Sequence, residues 1–138
     1  MNQPSMDVSR TLEPDSDQII AADLLQSPLT VTVTKFIPAK NEKGKPIFFL
    51  ETAEFGPARP YKPSLNMRRV IAWTWGKMSG EWIGRQLTIY RDPELGFGGQ
   101  KQGGIRISNM SHIDKPVTHQ LPGKGGKTFP FTVQPLAE

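Results

Sequence analysis

Cysteine is absent from all 138 residues, which removes disulfide frameworks, thiolate metal centres and cysteine nucleophiles together. Long apolar runs are missing too. Nothing approaches the roughly 18–20 residues needed to cross a bilayer, and no basic stretch followed by an apolar one opens the chain. The expectation is a soluble cytoplasmic protein with no membrane partner. Internal repeats and long low-complexity runs are also lacking. The stretch 123–128 (GKGGKT) has the look of a phosphate loop, but Pro122 and the strand-like Phe129, Pro130 and Phe131 oppose the helix such a loop must open. Nucleotide hydrolysis is therefore disfavoured. Only two histidines occur, His112 and His119. With Asp114 they form the sole cluster suggestive of metal or acid–base chemistry, yet Pro116 separates them and no carboxylate pair points to a two-metal nuclease. Structural or solvent-exposed histidines fit better, and neither catalytic residue nor cofactor is expected.

What the chain does have is an uneven charge. Residues 1–23 carry five carboxylates against Arg10 alone, a net of −4, while 24–138 hold 16 Lys/Arg and 8 Asp/Glu, a net of +8. A basic body with an acidic arm suits a polyanion, because phosphate contacts supply most non-specific nucleic-acid affinity. The bland alternative is that the charge serves only solubility.

Hydrophobic periodicity places the elements. Residues 1–22 are polar and acidic and read as a flexible arm, with a short helical turn near 19–25, leaving 23–138 as one domain. The segment 29–37 alternates, with Leu29, Val31 and Val33 on one side and Thr30, Thr32, Thr34 and Phe36 on the other. A polar turn at 41–46 leads to a second strand at 47–51. Prolines at 57, 60 and 63 leave room only for a short edge strand around 59–62. Ser64 and Gly76 bracket a helix over 65–75, whose core face holds Met67, Val70, Ile71, Thr74 and Trp75, with Arg69 and Trp73 together on another side. Strands follow at 86–91 and 104–108, with Leu87, Ile89, Ile105 and Ile107 inward and Thr88, Tyr90, Arg106 and Ser108 outward. A terminal hairpin, 117–121 and 128–133, closes the chain. This order of strand, strand, short strand, helix, strand, strand predicts a mainly β fold: an OB-fold-like five-stranded barrel with one helix between strands 3 and 4, plus a C-terminal hairpin.

Outward Tyr90 and Arg106 together make a base-stacking platform with an electrostatic anchor, or merely a cross-strand cation–π pair. Phe36 either joins that platform or caps the barrel end. Arg69 and Trp73 need a cover that nucleic acid, a partner subunit or the hairpin can supply, whereas Trp75 and Trp82 read as core. Lys35, Lys62, Arg68, Arg85, Arg91 and Lys101 are phosphate-contact candidates. The loop 96–104 has five glycines in nine residues, with Phe97 and Lys101 as a movable clamp on a backbone free to approach a ligand.

The segment 62–113 resembles a family of small bacteriophage and prophage single-stranded-DNA-binding proteins. The resemblance rests on 62–64 (KPS), 67–70 (MRRV), Trp75 with Gly76, 82–93 (WIGRQLTIYRDP), 97–99 (FGG), 103–108 (GGIRIS) and 110–116 (MSHIDKP). It implies an OB-like barrel binding single-stranded DNA in phage replication or recombination, in the host cytoplasm. The residues expected to bind are Phe36, Lys62, Arg69, Trp73, Tyr90, Arg91, Phe97, Lys101 and Arg106. Partners under this reading are single-stranded DNA, phage or host replication proteins, and a second copy of the chain. The alternative is an interaction module that binds a host replication or defence factor through Trp73 and the hairpin.

Overall fold

A computed structural model describes Ser5, Val8 and residues 16–95 and 103–136. Among the described residues seven strands, β1 (Leu29–Lys40), β2 (Pro46–Thr52), β3 (Gly56–Tyr61), β4 (Gln86–Asp92), β5 (Gly104–Met110), β6 (Val117–Pro122) and β7 (Thr128–Pro135), accompany one α-helix, α1 (Leu65–Trp75), between β3 and β4. The fold is mainly β, and the helix and terminal hairpin stand where the sequence places them.

The expected closed five-stranded barrel does not form. The strands make an open mixed sheet in the order β3-β2-β1-β4-β5-β7-β6, and among the described residues no ladder joins β3 to β5. Two causes are visible. The far edge of β5 is taken by β7, which pairs parallel to it through Asn109↔Gln134 and Met110↔Pro135. Strand β3 also contains Pro57 and Pro60, which have no N–H to give, and the Pro60 carbonyl already accepts the N–H of Ile19 at 3.0 Å.

Strand β1 is shared by both halves of the sheet. Its first residues pair with β4 (Leu29↔Ile89 to Thr32↔Gln86) and its later ones with β2 (Lys35↔Glu51 to Lys40↔Pro46). Between Val33 and Lys35 the register slips, leaving Thr34 as the extra residue of a β-bulge. An extra residue reverses the alternation. Val31 and Val33 are buried, and beyond the bulge Phe36 is the residue turned inward, meeting Phe48 at 5.4 Å and Trp82 at 5.8 Å between ring centroids. Phe36 was expected on the polar face with Thr34; the unpaired Thr34 moves it to the interior.

Helix α1 follows its pattern. Ser64 Oγ accepts the Met67 N–H, Gly76 stops the helix at φ 99°, and Met67, Val70, Ile71 and Trp75 are buried. Trp75 and Trp82 are core, with their indole N–H groups donating to Ser111 O (2.8 Å) and Gly76 O (3.1 Å). The β6–β7 hairpin lies along α1, burying Leu121, Phe131 and Val133. His119 Nε2 stands 2.8 Å from Thr74 Oγ1, and Asn66 Nδ2 donates to Pro122 O at 3.2 Å.

Packed chain begins earlier than the expected boundary at residue 23. Ile19 is buried, contributing about 1.5–3 kcal/mol, and Asp23 forms an ion pair with Arg59 at 2.7 Å, each side chain only 6% exposed. The same carboxylate accepts the Ile20 N–H at 2.8 Å, while Arg59 Nη2 also donates to Gln18 O at 3.0 Å.

Removing one member of a buried pair strands its partner, so Asp23→Ala is expected to cost about 3–5 kcal/mol in urea unfolding, and the double variant Asp23→Leu/Arg59→Met should recover most of it. A loss below about 1 kcal/mol would contradict the pairing. Burial lowers the His119 pKa below its ordinary value. The unfolded chain therefore binds the proton first as pH falls: stability is full above about pH 6.5 and declines below it toward the folded-state pKa. Thermal melts from pH 7.5 to 5 should show this decline, and His119→Gln should flatten it.

Candidate nucleic-acid interface

Phe48 and Phe49 are neighbours on β2, so one must face out. Phe48 joins Phe36 and Trp82 in the interior, 5.2 Å from the Trp82 ring. Phe49 consequently faces outward, half-buried, with Ile37 opposite it in the ladder. Lys62 places its ammonium 4.8 Å from the Phe49 ring centroid, a cation–π arrangement. The same ammonium lies 3.9 Å from Asp17 Oδ2, whose side chain is 89% exposed, so the pair is weak.

The β1–β2 turn adds charge at the end of this face. Asn41 Oδ1 accepts the N–H groups of Lys43 (2.9 Å) and Lys45 (3.0 Å), and Gly44 takes φ 77°, a conformation natural to glycine. That internal wiring leaves Lys40, Lys43 and Lys45 exposed. Lys45 is four strand residues from Phe49, about 13 Å. Further along, Lys35 stands in register with Glu51. The result is an aromatic ring on an apolar strip, with cations beside it and at one end.

Tyr90 and Arg106 are direct cross-strand partners, as their alternation predicts. Arg106, however, is already engaged: Nε lies 3.3 Å from Asp92 Oδ2, and the guanidinium sits 5.7 Å from both the Phe129 and Phe131 rings. Tyr90 is half-buried, and burial raises its pKa, with Arg106 pulling it down and Asp92 up. Its hydroxyl therefore stays protonated. Arg91 is half-buried and packs over Gly103, where an added Cβ would come within 2.7 Å of Arg91 Nε.

On α1, Arg69 Nη1 donates to Asn66 Oδ1 at 2.8 Å. Trp73 lies 5.7 Å from the His119 ring of the hairpin and remains 49% exposed. Arg68 donates to Pro63 O at 2.9 Å, and Arg85 lies 5.6 Å from the Trp75 ring. Phe97 and Lys101 lie outside the described residues. His112 Nδ1 meets Ser111 Oγ at 2.7 Å, whereas His119 bonds Thr74. Among the described residues no three His, Asp or Glu side chains gather for a metal.

The structure thus joins Tyr90 to Arg106 but separates Phe36 from both. Among the described residues expected to bind, only Lys62 lies against the outward aromatic strip. Phe49 and Ile37 were overlooked, although the adjacent Phe48 and Phe49 carried the signal that one ring must be outside. Comparison of the chain with family models, curated proteins and solved structures finds no match.

The two rings have opposite expected phenotypes. Phe36→Ala should cost roughly 2–4 kcal/mol in denaturant unfolding because it opens the aromatic cluster. Phe49→Ala should cost less than about 1 kcal/mol. Equal losses would show that the inward and outward assignments are wrong.

Proposed function

We propose that this protein binds single-stranded DNA without sequence selectivity, as a non-enzymatic, cofactor-free, bacteriophage-type protein of replication or recombination. The observation that carries this reading is outward Phe49 with the Lys62 ammonium 4.8 Å above its ring. An outward-facing ring can stack any base, and a neighbouring cation meets the phosphate that follows. The lysines of the β1–β2 turn extend the charge along the strand, in keeping with a body of net +8.

The connectivity supports an OB-like reading of the sheet. Its first long strand is divided between β2 and β4, and the helix follows the third strand. On this reading the N-terminal half of the sheet presents the ligand face, and the β6–β7 hairpin is an addition covering Arg106. The resemblance of 62–113 to phage single-stranded-DNA-binding proteins supports the same reading, under which the host cytoplasm is the proposed location. Replication proteins and a second copy of the chain are its proposed protein partners. A second reading, a module binding a host replication or defence protein, is favoured by Trp73, which keeps half its surface in solvent.

Fluorescence anisotropy with labelled oligo-dT should give binding that weakens steeply as salt rises. Phe49→Ala should lower affinity about 10- to 100-fold, the worth of one stacked base, and Trp73→Ala should leave it intact. Absence of binding at low salt, or equal affinity for duplex, would overturn the proposal. Loss of partner capture in Trp73→Ala without any DNA phenotype in Phe49→Ala would favour the second reading.

A further inference from the structure

The two outer strands of the sheet are not protected alike. In β3, Pro57 and Pro60 withhold N–H groups, and the Pro60 carbonyl accepts from Ile19 at 3.0 Å. At the opposite end of the strand order stands β6, whose ladder to β7 runs without a bulge and which holds no Lys, Arg, Asp or Glu from Val117 to Pro122. Among the described residues no strand pairs with its far side. An outer strand without charge or bulge is open to pairing with another chain.

The β6–β7 turn fixes which backbone groups of β6 point away from β7. Gly123 N–H donates to Lys127 O at 2.7 Å, and antiparallel ladder bonds alternate, so Val117, His119 and Leu121 bond to β7 while Thr118 and Gln120 turn their N–H and C=O groups outward. Pro130 stands opposite Gln120, a place where β7 needs no donor toward β6. Both Thr118 and Gln120 are exposed. The open stretch is short. Pro116 and Pro122 bound it, neither has an N–H to give, and Pro122 O already accepts from Asn66 Nδ2 at 3.2 Å.

We infer that β6 pairs antiparallel with β6 of a second copy of this chain, about a two-fold axis through His119. In this register Thr118 opposes Gln120 of the second copy and Gln120 opposes its Thr118, each pair exchanging two hydrogen bonds, while Val117 opposes Leu121. Side-chain parity is kept, because exposed polar residues meet each other on one face and apolar residues meet on the other. Pro116 opposes Pro122, so the ladder stops where the donors do. The contact is isologous and closes at two copies. Trp73 lies 5.7 Å from the His119 ring and is 49% exposed, so an axis through His119 brings both Trp73 rings toward the centre of the contact. A foreign strand would find the same amides, but only a second copy supplies a matching Trp73. Burial lowers the His119 pKa, and two imidazoles on the axis are therefore uncharged at pH 7.5. The inference rests on the proposed partnership with a second copy and is separate from the strand-binding face, since β2 and β3 lie at the other end of the strand order.

Sedimentation equilibrium of the full chain without nucleic acid should show a mass that rises with concentration from one copy toward two. Iodide quenching of tryptophan emission should fall in parallel, because Trp73 is exposed whereas Trp75 and Trp82 are buried. Gln120→Pro removes one outward donor from each copy, hence two bonds across the axis, and should raise the dimer Kd roughly 10- to 100-fold. A charge exchange tests the register through exposed side chains alone. Thr118→Lys/Gln120→Lys and Thr118→Glu/Gln120→Glu should each be monomeric, since like charges then oppose, and an equimolar mixture of the two should form the mixed dimer. A wild type that stays monomeric, a dimer that survives both charge variants, or assemblies growing beyond two copies would each overturn the inference. Dimers seen only with oligo-dT would place the contact on the nucleic acid and overturn it too. Monomeric wild type that still binds oligo-dT would sink the dimer and keep the strand-binding proposal; the expected dimer without any oligo-dT binding would do the reverse.

Discussion

One unpaired residue in β1 governs the arrangement of both faces of the sheet. A strand shared by two ladders must serve the side-chain parity of each, and Thr34 is where one parity is exchanged for the other. Before it, Val31 and Val33 fill the core beside Leu87 and Ile89; after it, Phe36 takes over that duty with Phe48 and Trp82. Had the alternation continued, Phe36 would stand in solvent and Ile37 would enter the core. The same slip sets Ile37 beside outward Phe49, so the apolar strip outside and the aromatic cluster inside have a single origin.

Elements whose identity rests on local chemistry were legible in the sequence. Helix α1 is bracketed by Ser64 and Gly76 and carries an apolar face of regular period, and each hairpin has its own turn residues. Cross-strand neighbours were legible where alternation ran undisturbed, as with Tyr90 and Arg106. The bulge was not, because Thr30, Thr32 and Thr34 look alike in composition and only pairing with β2 distinguishes the third. Nor was the capture of β5 by β7, a long-range choice between two partners on which local propensity is silent. The partner of Asp23 was not legible for a related reason: nothing local to either residue announces that Arg59, buried on β3, is brought beside it.

Formal charge overstates how much of the basic character is available to a ligand. Arg59 is spent on Asp23, Arg106 on Asp92 and two phenylalanine rings, Arg69 on Asn66, and Arg68 on the Pro63 carbonyl. These arginines brace the fold through planar, multi-donor groups suited to that task. The lysines of the β1–β2 turn and Lys62 stand at the surface instead. A division of this kind separates stability from recognition: arginines fix the frame, while lysines and one phenylalanine make the exterior.

The fastening of 18–23 to β3 has a consequence for the residue just before it. Asp17 is held within a few ångströms of Lys62 by a buried ion pair a short distance along the chain. Its carboxylate is therefore a tethered counterion, present at an effective concentration on the order of millimolar whatever the dilution of the protein. Any phosphate that reaches Lys62 displaces an intramolecular rival as well as free salt. The apparent affinity of that cation is consequently set partly by chain geometry, a parameter that neither its own charge nor its exposure reveals.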